Sequence, residues 1–596
     1  MDSDKESVFC SIEEFITSSF DFIIIGGGTA GLAIVARLSE DDRFLVGVLE
    51  AGETRLDDPF VNVPNLFPQI QFKPEYDWML KSLHANNLEF ALPRGKLLGG
   101  TSAINYMQYS RPIHADFDEW ARCVDSEEWS WAKMLPFFQK SEYLEADDHS
   151  ESLLTTHGTG GAIHTSTTRS QIPLENAFLD TCRELATYPQ GGYPIDGTHD
   201  DFFACLSTVD RSERNGTRSY AASGYLLPNI GRQNLKILTK ANVESIKFNT
   251  NTDIPTADGV HFWCSGTRYT VTAKQEVILS AGTHKTPQIL ELSGIGDADR
   301  LQKCGITYLV PNRSVGEDMQ DHMAFVTTFE LAPGAFSVDA FAEPDLVKPA
   351  TEEYQRTGGG PLASPPSAMG FLSCPSLVSP QELDTIVSAI GFSDTKQSLT
   401  TFQQQRIINR LKDSMAGAIQ FLFLPCHIDT DEGLRDQSKF IHPAPSRNNH
   451  VSVITAFQYS PSRGSVHITN SDPEAPPAID PAFLSHPVDM AVMRSTMHFL
   501  NKVSLSPAVQ AQLNPEFSVA AKLDLVIDMR RKPTSVTMLA VSIIQSARRQ
   551  WGLWWTRSFG LKAYVDSDVS MQAFSPYTLA VTQWQLCMRL LRKRQR

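Results

Sequence analysis

The sequence predicts an α/β domain built on a parallel sheet, together with an α+β domain that has an antiparallel sheet. Three observations predict this architecture. The chain has 596 residues, too many for a single simple core. Near its start a short apolar run leads into a glycine-rich turn and an apolar helix, the pattern of a strand–turn–helix unit. Between residues 331 and 460 the apolar runs GAIQFLFLP and HVSVITAFQYS indicate strands of a second sheet.

Composition places the chain among soluble globular proteins and limits its partners. Apolar residues make up 41% and charged residues 20% of the chain, and 52 basic against 68 acidic residues give a formal charge of −16. No segment before residue 548 concentrates positive charge, so nucleic acid is not an expected partner. The longest apolar runs, FIIIGGG and AIQFLFLP, are far shorter than a membrane span, so no membrane partner is expected either.

The cysteines and the first residues of the chain indicate a compartment. Nine cysteines are scattered along the chain without a CxxC pair, which favours a reducing environment over a disulfide framework. The first twenty residues carry acids where a signal peptide needs a basic start. We therefore expect a cytoplasmic protein.

The glycine-rich turn lies in the segment DFIIIGGGTAGLAIVARLSEDDRFLVGVLEAG. Gly26 permits the tight turn, Gly28 lets the backbone approach a pyrophosphate, and Gly31 lets the helix pack on the strand. Glu50 ends the second strand, where its carboxylate can accept hydrogen bonds from an adenosine ribose. Strand, helix and terminal acid all lie where a Rossmann-like dinucleotide-binding unit needs them, which favours that unit over an ordinary buried turn. An acid at this position disfavours a 2′-phosphate, so FAD or NAD is expected rather than NADP.

A second glycine-rich segment, LPRGKLLGGTSAINYMQYSRPIHADFDEWA, favours FAD, because FAD has a long isoalloxazine to hold. Within it, Pro93 to Asn105 match the first signature of the glucose-methanol-choline (GMC) oxidoreductases, P-R-G-K-x-L-G-G-[ST]-S-x-[IL]-N. GTHKTPQILELSGIG, from Gly282 to Gly296, matches their second signature. With the shorter matches EYDWML, NGTRSYAASGYL and VGEDMQDH, the chain resembles this family over about residues 20 to 510.

The resemblance implies a domain order and an activity. It implies an FAD-binding domain over residues 18–330, a substrate-binding domain over 331–485, and a return to the FAD-binding domain over 486–535. FAD would be the cofactor and a small primary or aromatic alcohol the substrate. Hydride would pass from the alcohol carbon to flavin N5 while a neutral histidine removes the hydroxyl proton. No metal is expected, and the oligomeric state and the electron acceptor stay open.

The resemblance also implies which residues contact FAD. Arg94 could instead be a solvated loop arginine, and Asn105 a turn or capping residue. His284, His322 and His486 are expected to be structural or surface histidines remote from the flavin. The residues carried over are Gly26, Gly28, Thr29, Ala30, Gly31, Glu50 and Ala51 for the ADP half, Val243 for the adenine, and Trp78, Arg94, Leu98, Ser102, Asn105, Tyr106, Met107 and Gln108 along the rest of the cofactor.

The tail from Arg548 to Arg596 differs from the rest of the chain. It carries nine Lys or Arg against two Asp, and Trp551, Trp554 and Trp555 lie within ten residues. The family places a histidine and a second histidine or asparagine from its carboxy-terminal region at the flavin, where they do the acid–base work. That pattern is not found in the tail, so the sequence assigns no catalytic residue.

Translation of the tail two bases out of frame restores the family pattern. In this frame each codon joins the last base of one codon to the first two bases of the next. Because Trp and Met have single codons, Trp551-Gly552 must give Gly, Trp554-Trp555 must give Val, and Trp555-Thr556 must give Asp. The result is the pattern G-x-[LVM]-V-D. Met571-Gln572 and Trp584-Gln585 must each give Ala, and Thr537-Met538 permits a histidine. The segment 536–596 is therefore expected to be a frame-shifted family terminus, although a genuine basic amphipathic tail is an alternative.

Two functional alternatives stay open. Some relatives keep the fold and FAD but run non-redox chemistry, as lyases or cyclases. The chain could also be an inactive product of a frame-shifted gene.

Overall fold

A computed structural model of the chain describes residues 8–83, 89–145, 156–169, 171–186, 201–251, 255–366, 368–391 and 399–515, and the backbone of 539–546. Two large sheets organise this part of the chain. Their strands, numbered in chain order, are β1 (Phe20–Ile25), β2 (Val46–Leu49), β3 (Phe202–Ala204), β4 (Leu235–Leu238), β5 (Ala241–Asn249), β6 (Thr256–Cys264), β7 (Thr267–Leu279), β8 (Glu317–Glu330), β9 (Ala368–Leu372), β10 (Ile419–Leu424), β11 (His450–Phe457), β12 (Gly464–His467), β13 (Ala478–Asp480) and β14 (Leu539–Ser546).

Helices cover both sheets, and short strands form smaller ladders beside them. The described α-helices of nine residues or more are α1 (Thr29–Leu38), α2 (His114–Cys123), α3 (Trp131–Ser141), α4 (Pro173–Ala186), α5 (Gly282–Leu292), α6 (Pro344–Thr357), α7 (Pro380–Ser388), α8 (Thr401–Lys412) and α9 (Pro487–Ser504). The short strands are Leu80–Lys81, Ala91–Leu92, Gln108–Tyr109, Glu142–Leu144, Ile163–Thr167, Leu206–Ser207, Val209–Asp210, Thr217–Arg218, Ile295–Gly296 and Val310–Pro311.

The first sheet has the order β4-β2-β1-β7-β6-β5. Its first four strands are parallel, and β7, β6 and β5 continue it as an antiparallel meander. Strand β1, with the sequence FDFIII, is buried on both faces, as the central strand of a parallel sheet must be. Its Ile24 packs in the cluster that contains residues of α1, and its Ile23 packs in the cluster that contains residues of α5, so the two helices cover opposite faces.

The second sheet has the order β13-β12-β8-β11-β10-β9-β3, and β14 also pairs with β8. All of its described pairings are antiparallel. Phe421 and Phe423 of β10 face a core that includes Phe499 of α9, while Leu422 and Leu424 face a separate cluster on the other side. The predicted fold class, an α/β Rossmann-like domain with an α+β domain on an antiparallel sheet, is confirmed.

The second sheet collects strands from distant parts of the chain. Strands β3 and β8 precede residue 331, and β14 follows residue 535. The predicted domain limits stay a prediction. The tail predicted at 536–596 lies outside the described residues, apart from the backbone of β14. Within the described residues, no helix is both long enough and apolar enough to cross a membrane.

Candidate functional site

The four parallel strands of the first sheet end in one row. Ile25 of β1 is in register with Leu49 of β2 and Leu279 of β7, and Leu49 is in register with Leu238 of β4. The loops that leave the ends of these strands line one cavity. In an open parallel sheet this edge, at the point where the strand order reverses, is where ligands bind.

This cavity collects most of the residues predicted for the ADP half of the cofactor. Gly31 lies in α1 behind the turn, and Leu98, Ser102, Asn105, Tyr106, Met107 and Gln108 are outside the lining. The predicted residues that line the cavity are Gly26, Gly28, Thr29, Ala30, Glu50, Ala51, Trp78, Arg94 and Val243.

The three motif glycines meet different physical needs. Gly26 has a φ of +99°, and a Cβ there would lie 2.6 Å from the carbonyl oxygen of Ser280. A Cβ on Gly31 would lie 1.9 Å from the carbonyl oxygen of Gly26, so helix and strand could not pack as they do. A Cβ on Gly28 would have only the Cα of Gly100 within 4 Å, at 3.7 Å. Gly28 therefore leaves open space beside the backbone at the amino terminus of α1, where N–H groups and the helix dipole favour an anion.

Glu50 is fixed by the glycine turn. Its Oε2 accepts a hydrogen bond from the Gly27 N–H and its Oε1 accepts one from the Gly52 N–H, each at 2.8 Å. The side chain is buried, and burial raises the pKa of its carboxyl to about 7, although the two N–H donors and Lys96 act in the opposite direction. Each carboxylate oxygen keeps a second lone pair, so the group can also accept a hydrogen bond from a ribose hydroxyl.

Glu50 should make the cofactor-free chain less stable as pH rises. Its pKa is raised from 4.5 to about 7 on folding, so below pH 4.5 the carboxyl is protonated in both states. Between pH 4.5 and about 7 the carboxyl loses its proton first in the unfolded chain, which stabilises the unfolded state. Above about pH 7 the resulting loss of unfolding free energy is constant. Compared with Glu50→Gln, the wild type should lose roughly 3 kcal/mol of unfolding free energy across this window.

Denaturant unfolding at several pH values measures this difference. Glu75→Gln, at an exposed position, is the matched control and should reproduce the wild-type pH dependence. A wild-type chain that gains stability relative to Glu50→Gln as pH rises through this window would contradict the buried-carboxylate account.

Trp78 and Arg94 belong to two segments that are joined by hydrogen bonds beside the cavity. The Trp78 N–H donates to the Arg94 carbonyl oxygen at 2.9 Å. The buried Asp77 carboxylate accepts from the N–H groups of Met79, at 2.8 Å, and Arg94, at 3.2 Å. Arg94 is half-buried and lines the cavity, and its Nη1 donates to the Pro93 carbonyl oxygen at 2.6 Å, while its contact with FAD stays a prediction.

The segment from Leu98 to Gln108 connects the cavity to the second sheet. The Ser102 N–H donates to Thr29 Oγ1 at 3.3 Å, which joins the segment to the start of α1. Asn105 Oδ1 accepts from Arg218 at 2.7 Å, while its buried Nδ2 has no hydrogen-bond partner among the described residues. The Tyr106 ring packs against Phe67, 4.4 Å between centroids, and against the cluster that Leu422 and Leu424 of the second sheet face.

The remaining residues of this segment are buried around it. Leu98 lies against Gly27, since a Cβ on that glycine would meet Leu98 Cδ2 at 2.7 Å. Met107 has a φ of +61° and packs with Phe67. Gln108 Nε2 donates to Cys205 Sγ at 4.0 Å. The contacts of these residues with FAD stay a prediction.

The loop after β7 and the first turn of α5 add cavity residues that were not predicted to contact FAD, among them Ala281, His284 and Lys285. His284 is buried, and burial, followed by Arg94 and Lys285, holds its pKa well below the ordinary value. His284 therefore lines the cavity predicted for the ADP half, and its expected distance from the flavin ring stays a prediction. Only the second signature could have pointed to these residues, since it covers Gly282 to Gly296.

A parallel βαβ unit with a glycine turn, a buried terminal acid and a cavity at the strand ends defines a dinucleotide-binding protein. A GMC oxidoreductase family model for the amino-terminal part matches residues 20–324, and one for the carboxy-terminal part matches residues 460–538. The chain belongs to the GMC oxidoreductase family.

Relatives and solved structures agree with this assignment. The chain is 39% identical over 529 residues to a dehydrogenase of Monascus purpureus, covering 86% of this chain and 85% of the relative. It is 28% identical over 499 residues to an oxygen-dependent choline dehydrogenase of Sinorhizobium fredii, covering 83% and 79%. The fold is similar to that of an FAD-dependent oxidoreductase of Chaetomium thermophilum, with a TM-score of 0.80, 22% identity, and 97% and 100% of the two chains covered.

The cofactor is FAD, and the residues present fit it. The open backbone at Gly28, the amino terminus of α1 and the Glu50 carboxylate suit the diphosphate and the ribose of its ADP half. The Asn105 amide, with its orphaned Nδ2, lies on the segment that leads from the cavity to the second sheet. The predictions of an FAD-dependent oxidoreductase of the GMC family, with FAD as its cofactor, are confirmed.

Proposed function

We propose that the fold carries out FAD-dependent oxidation of a primary or aromatic alcohol. The observation that carries the proposal is that the segment with Asn105 and Tyr106 leads from the FAD cavity to the face of the second sheet that carries Leu422 and Leu424. A substrate held on that face would lie beside the cofactor. Choline, which the name of the Sinorhizobium relative specifies, is a primary alcohol, and this supports the substrate class.

When bound, FAD supplies the hydride acceptor for this reaction. The chain has to hold the alcohol carbon towards the acceptor and to place a base at the hydroxyl proton. A neutral histidine is the base that the family relationship suggests. His284 lines the cavity beside Arg94 and Lys285, and His486 Nδ1 accepts a hydrogen bond from the Val488 N–H at the start of α9, so neither is placed as this base.

We further propose that the tail as written has lost the base and its histidine or asparagine partner through a shift of reading frame. The match to the carboxy-terminal family model ends at residue 538, next to the Thr537-Met538 pair that permits a histidine in the alternative frame. The forced Gly, Val, Asp and Ala codons beyond it support the same shift.

The proposed function is tested with a panel of primary and aromatic alcohols mixed with the flavin-loaded chain without oxygen. Loss of the visible absorbance of oxidised flavin with an alcohol supports the proposal. A chain that converts a substrate while its flavin stays oxidised would instead favour a lyase or cyclase. If the written chain does neither while the frame-restored chain bleaches its flavin, the written chain is an inactive product of a frame-shifted gene.

Gln420 is the residue of the second sheet that we expect to contact the substrate. It lies on β10, opposite Ala456 of β11 and Phe371 of β9. Directly opposite residues share a sheet face, and both neighbours belong to the cluster against which Tyr106 packs. The Gln420 side chain is fully buried, yet neither its oxygen nor its nitrogen has a hydrogen-bond partner among the described residues. A buried amide of this kind suits a substrate polar group or an ordered water.

Gln420→Leu should change which alcohol is preferred without changing flavin content. In a chain that oxidises alcohols, kcat/KM for the best polar-substituted alcohol should fall roughly tenfold or more, while apolar alcohols keep or gain rate. Gln405→Leu, at an exposed position of α8, is the matched control. An equal loss with all alcohols, or loss of flavin, would show that Gln420 supports the fold and not the specificity.

A further inference from the structure

Lys285 is a buried cation at the wall of the FAD cavity. It lies in the first turn of α5 and lines the cavity together with Gly28 and Arg94. Its side chain is 8% exposed, so it is almost completely removed from water. The helix has eleven residues and follows β7, one of the four parallel strands whose ends form the cavity.

The ammonium of Lys285 has little around it that balances its charge. Among the described residues it donates no hydrogen bond and forms no ion pair. Its close contact is the ring of Trp78, 4.3 Å from Nζ to the centroid, and a second cation, Lys96, lies 4.8 Å from the same ring. Asp472 and Glu474 attract it from a distance, but both are exposed and water screens them.

Three effects make this position unfavourable for a cation. Burial removes the hydration of the ammonium, the amino terminus of α5 carries the positive end of the helix dipole, and Lys96 is a like charge. Burial first, and Lys96 next, lower the pKa of Lys285 to about 8. A cation–π contact contributes roughly 0.5–2 kcal/mol, which is less than the several kcal/mol that burying an ion costs.

A buried lysine ammonium without a counterion, at the wall of a cavity, suits a site where the bound ligand itself supplies the anion. FAD carries its negative charge on the diphosphate between its two halves. We propose that Lys285 binds the diphosphate of FAD, in addition to the N–H groups of the glycine turn. Trp78 then orients the lysine stem, and the cation becomes paired when the cofactor enters.

The proposal is tested by comparing ADP with adenosine, which lacks the diphosphate. On the full chain prepared without cofactor, Lys285→Met should weaken ADP and FAD binding on the order of ten- to a hundredfold, as loss of a charge-assisted hydrogen bond predicts. Adenosine binding should be unchanged, and Lys285→Arg should keep most of the ADP affinity. Lys303→Met, at an exposed position, is the matched control and should bind all three ligands as the wild type does.

A stability measurement separates ligand binding from a structural role. Because the lysine has no ion-pair partner among the residues that the structure describes, Lys285→Met should leave the melting temperature of the cofactor-free chain unchanged or raise it, while reducing the rise that FAD produces. The proposal would be overturned if Lys285→Met lost ADP and adenosine binding equally, or if the melting temperature of the cofactor-free variant fell. It would also be overturned if the substitution removed binding of inorganic pyrophosphate but left the affinity for ADP unchanged. None of these measurements depends on alcohol oxidation, so they test the proposal independently of the proposed function.

Discussion

Restoring the alternative frame of the tail is expected to raise the rate of flavin reduction by alcohols roughly 10²- to 10⁴-fold, the range that a positioned general base contributes. Insertion of one base, or deletion of two, just before codon 537 puts the tail in that frame. In the restored chain, the codons that now encode Trp551 to Thr556 give the G-x-[LVM]-V-D pattern. With it should return a base and its partner at the cofactor. Stopped-flow absorbance without oxygen, with the same alcohol panel for both chains, measures the two rates.

A chain truncated after residue 535 is the control for the tail as written. Truncated and written chains should reduce their flavin at similar low rates, because neither would carry the base that we propose to be lost. If the written chain is as fast as the restored one, the missing-base account is wrong and a residue of the written tail acts as the base.

Gly28→Asp should weaken FAD binding about a thousandfold while leaving the fold intact. A carboxylate about 4 Å from the diphosphate would repel it by roughly 4 kcal/mol at an effective dielectric of about 20, a loss of about a thousandfold in affinity. The fold should tolerate the change, because Gly28 has a φ of −81° and open space beside its Cα. Asp is also a favoured residue at a helix N-cap, the place that Gly28 occupies before α1.

Flavin content after purification and the melting temperature without cofactor test this prediction together. Gly31→Ala is the contrasting variant, since its Cβ would lie 1.9 Å from the Gly26 carbonyl oxygen and should lower the melting temperature itself. Gly28→Ala should keep most of the affinity. Retention of normal flavin content by Gly28→Asp would mean that the diphosphate does not lie at this turn.

The parts of the fold that depend on local sequence were predictable. Strand β1, the glycine turn and α1 follow one another without interruption, so periodicity and the spacing of Gly26, Gly28 and Gly31 were enough to predict them. Glu50 follows β2 directly, and its two hydrogen bonds to nearby backbone N–H groups agree with its predicted place beside the turn.

Features that depend on distant pairing were not predictable in the same way. Strand β3 pairs with β9, which lies more than 160 residues later in the chain, and neither carries a signal for the other. The burial of Lys285 has no local signal in the sequence around it. Its burial arises only where α5 meets Trp78, which belongs to a segment two hundred residues earlier. His284 enters the cavity for the same reason.

The most direct test of the central claim is a single turnover without oxygen, in which the flavin-loaded, frame-restored chain is mixed with an alcohol deuterated at its reacting carbon. FAD-dependent alcohol oxidation predicts that the visible flavin absorbance falls, and that it falls more slowly with the deuterated alcohol than with the ordinary one, because that C–H bond breaks as the hydride leaves. Product formation while the flavin stays oxidised, or an equal rate with both alcohols in the step that bleaches the flavin, would contradict it.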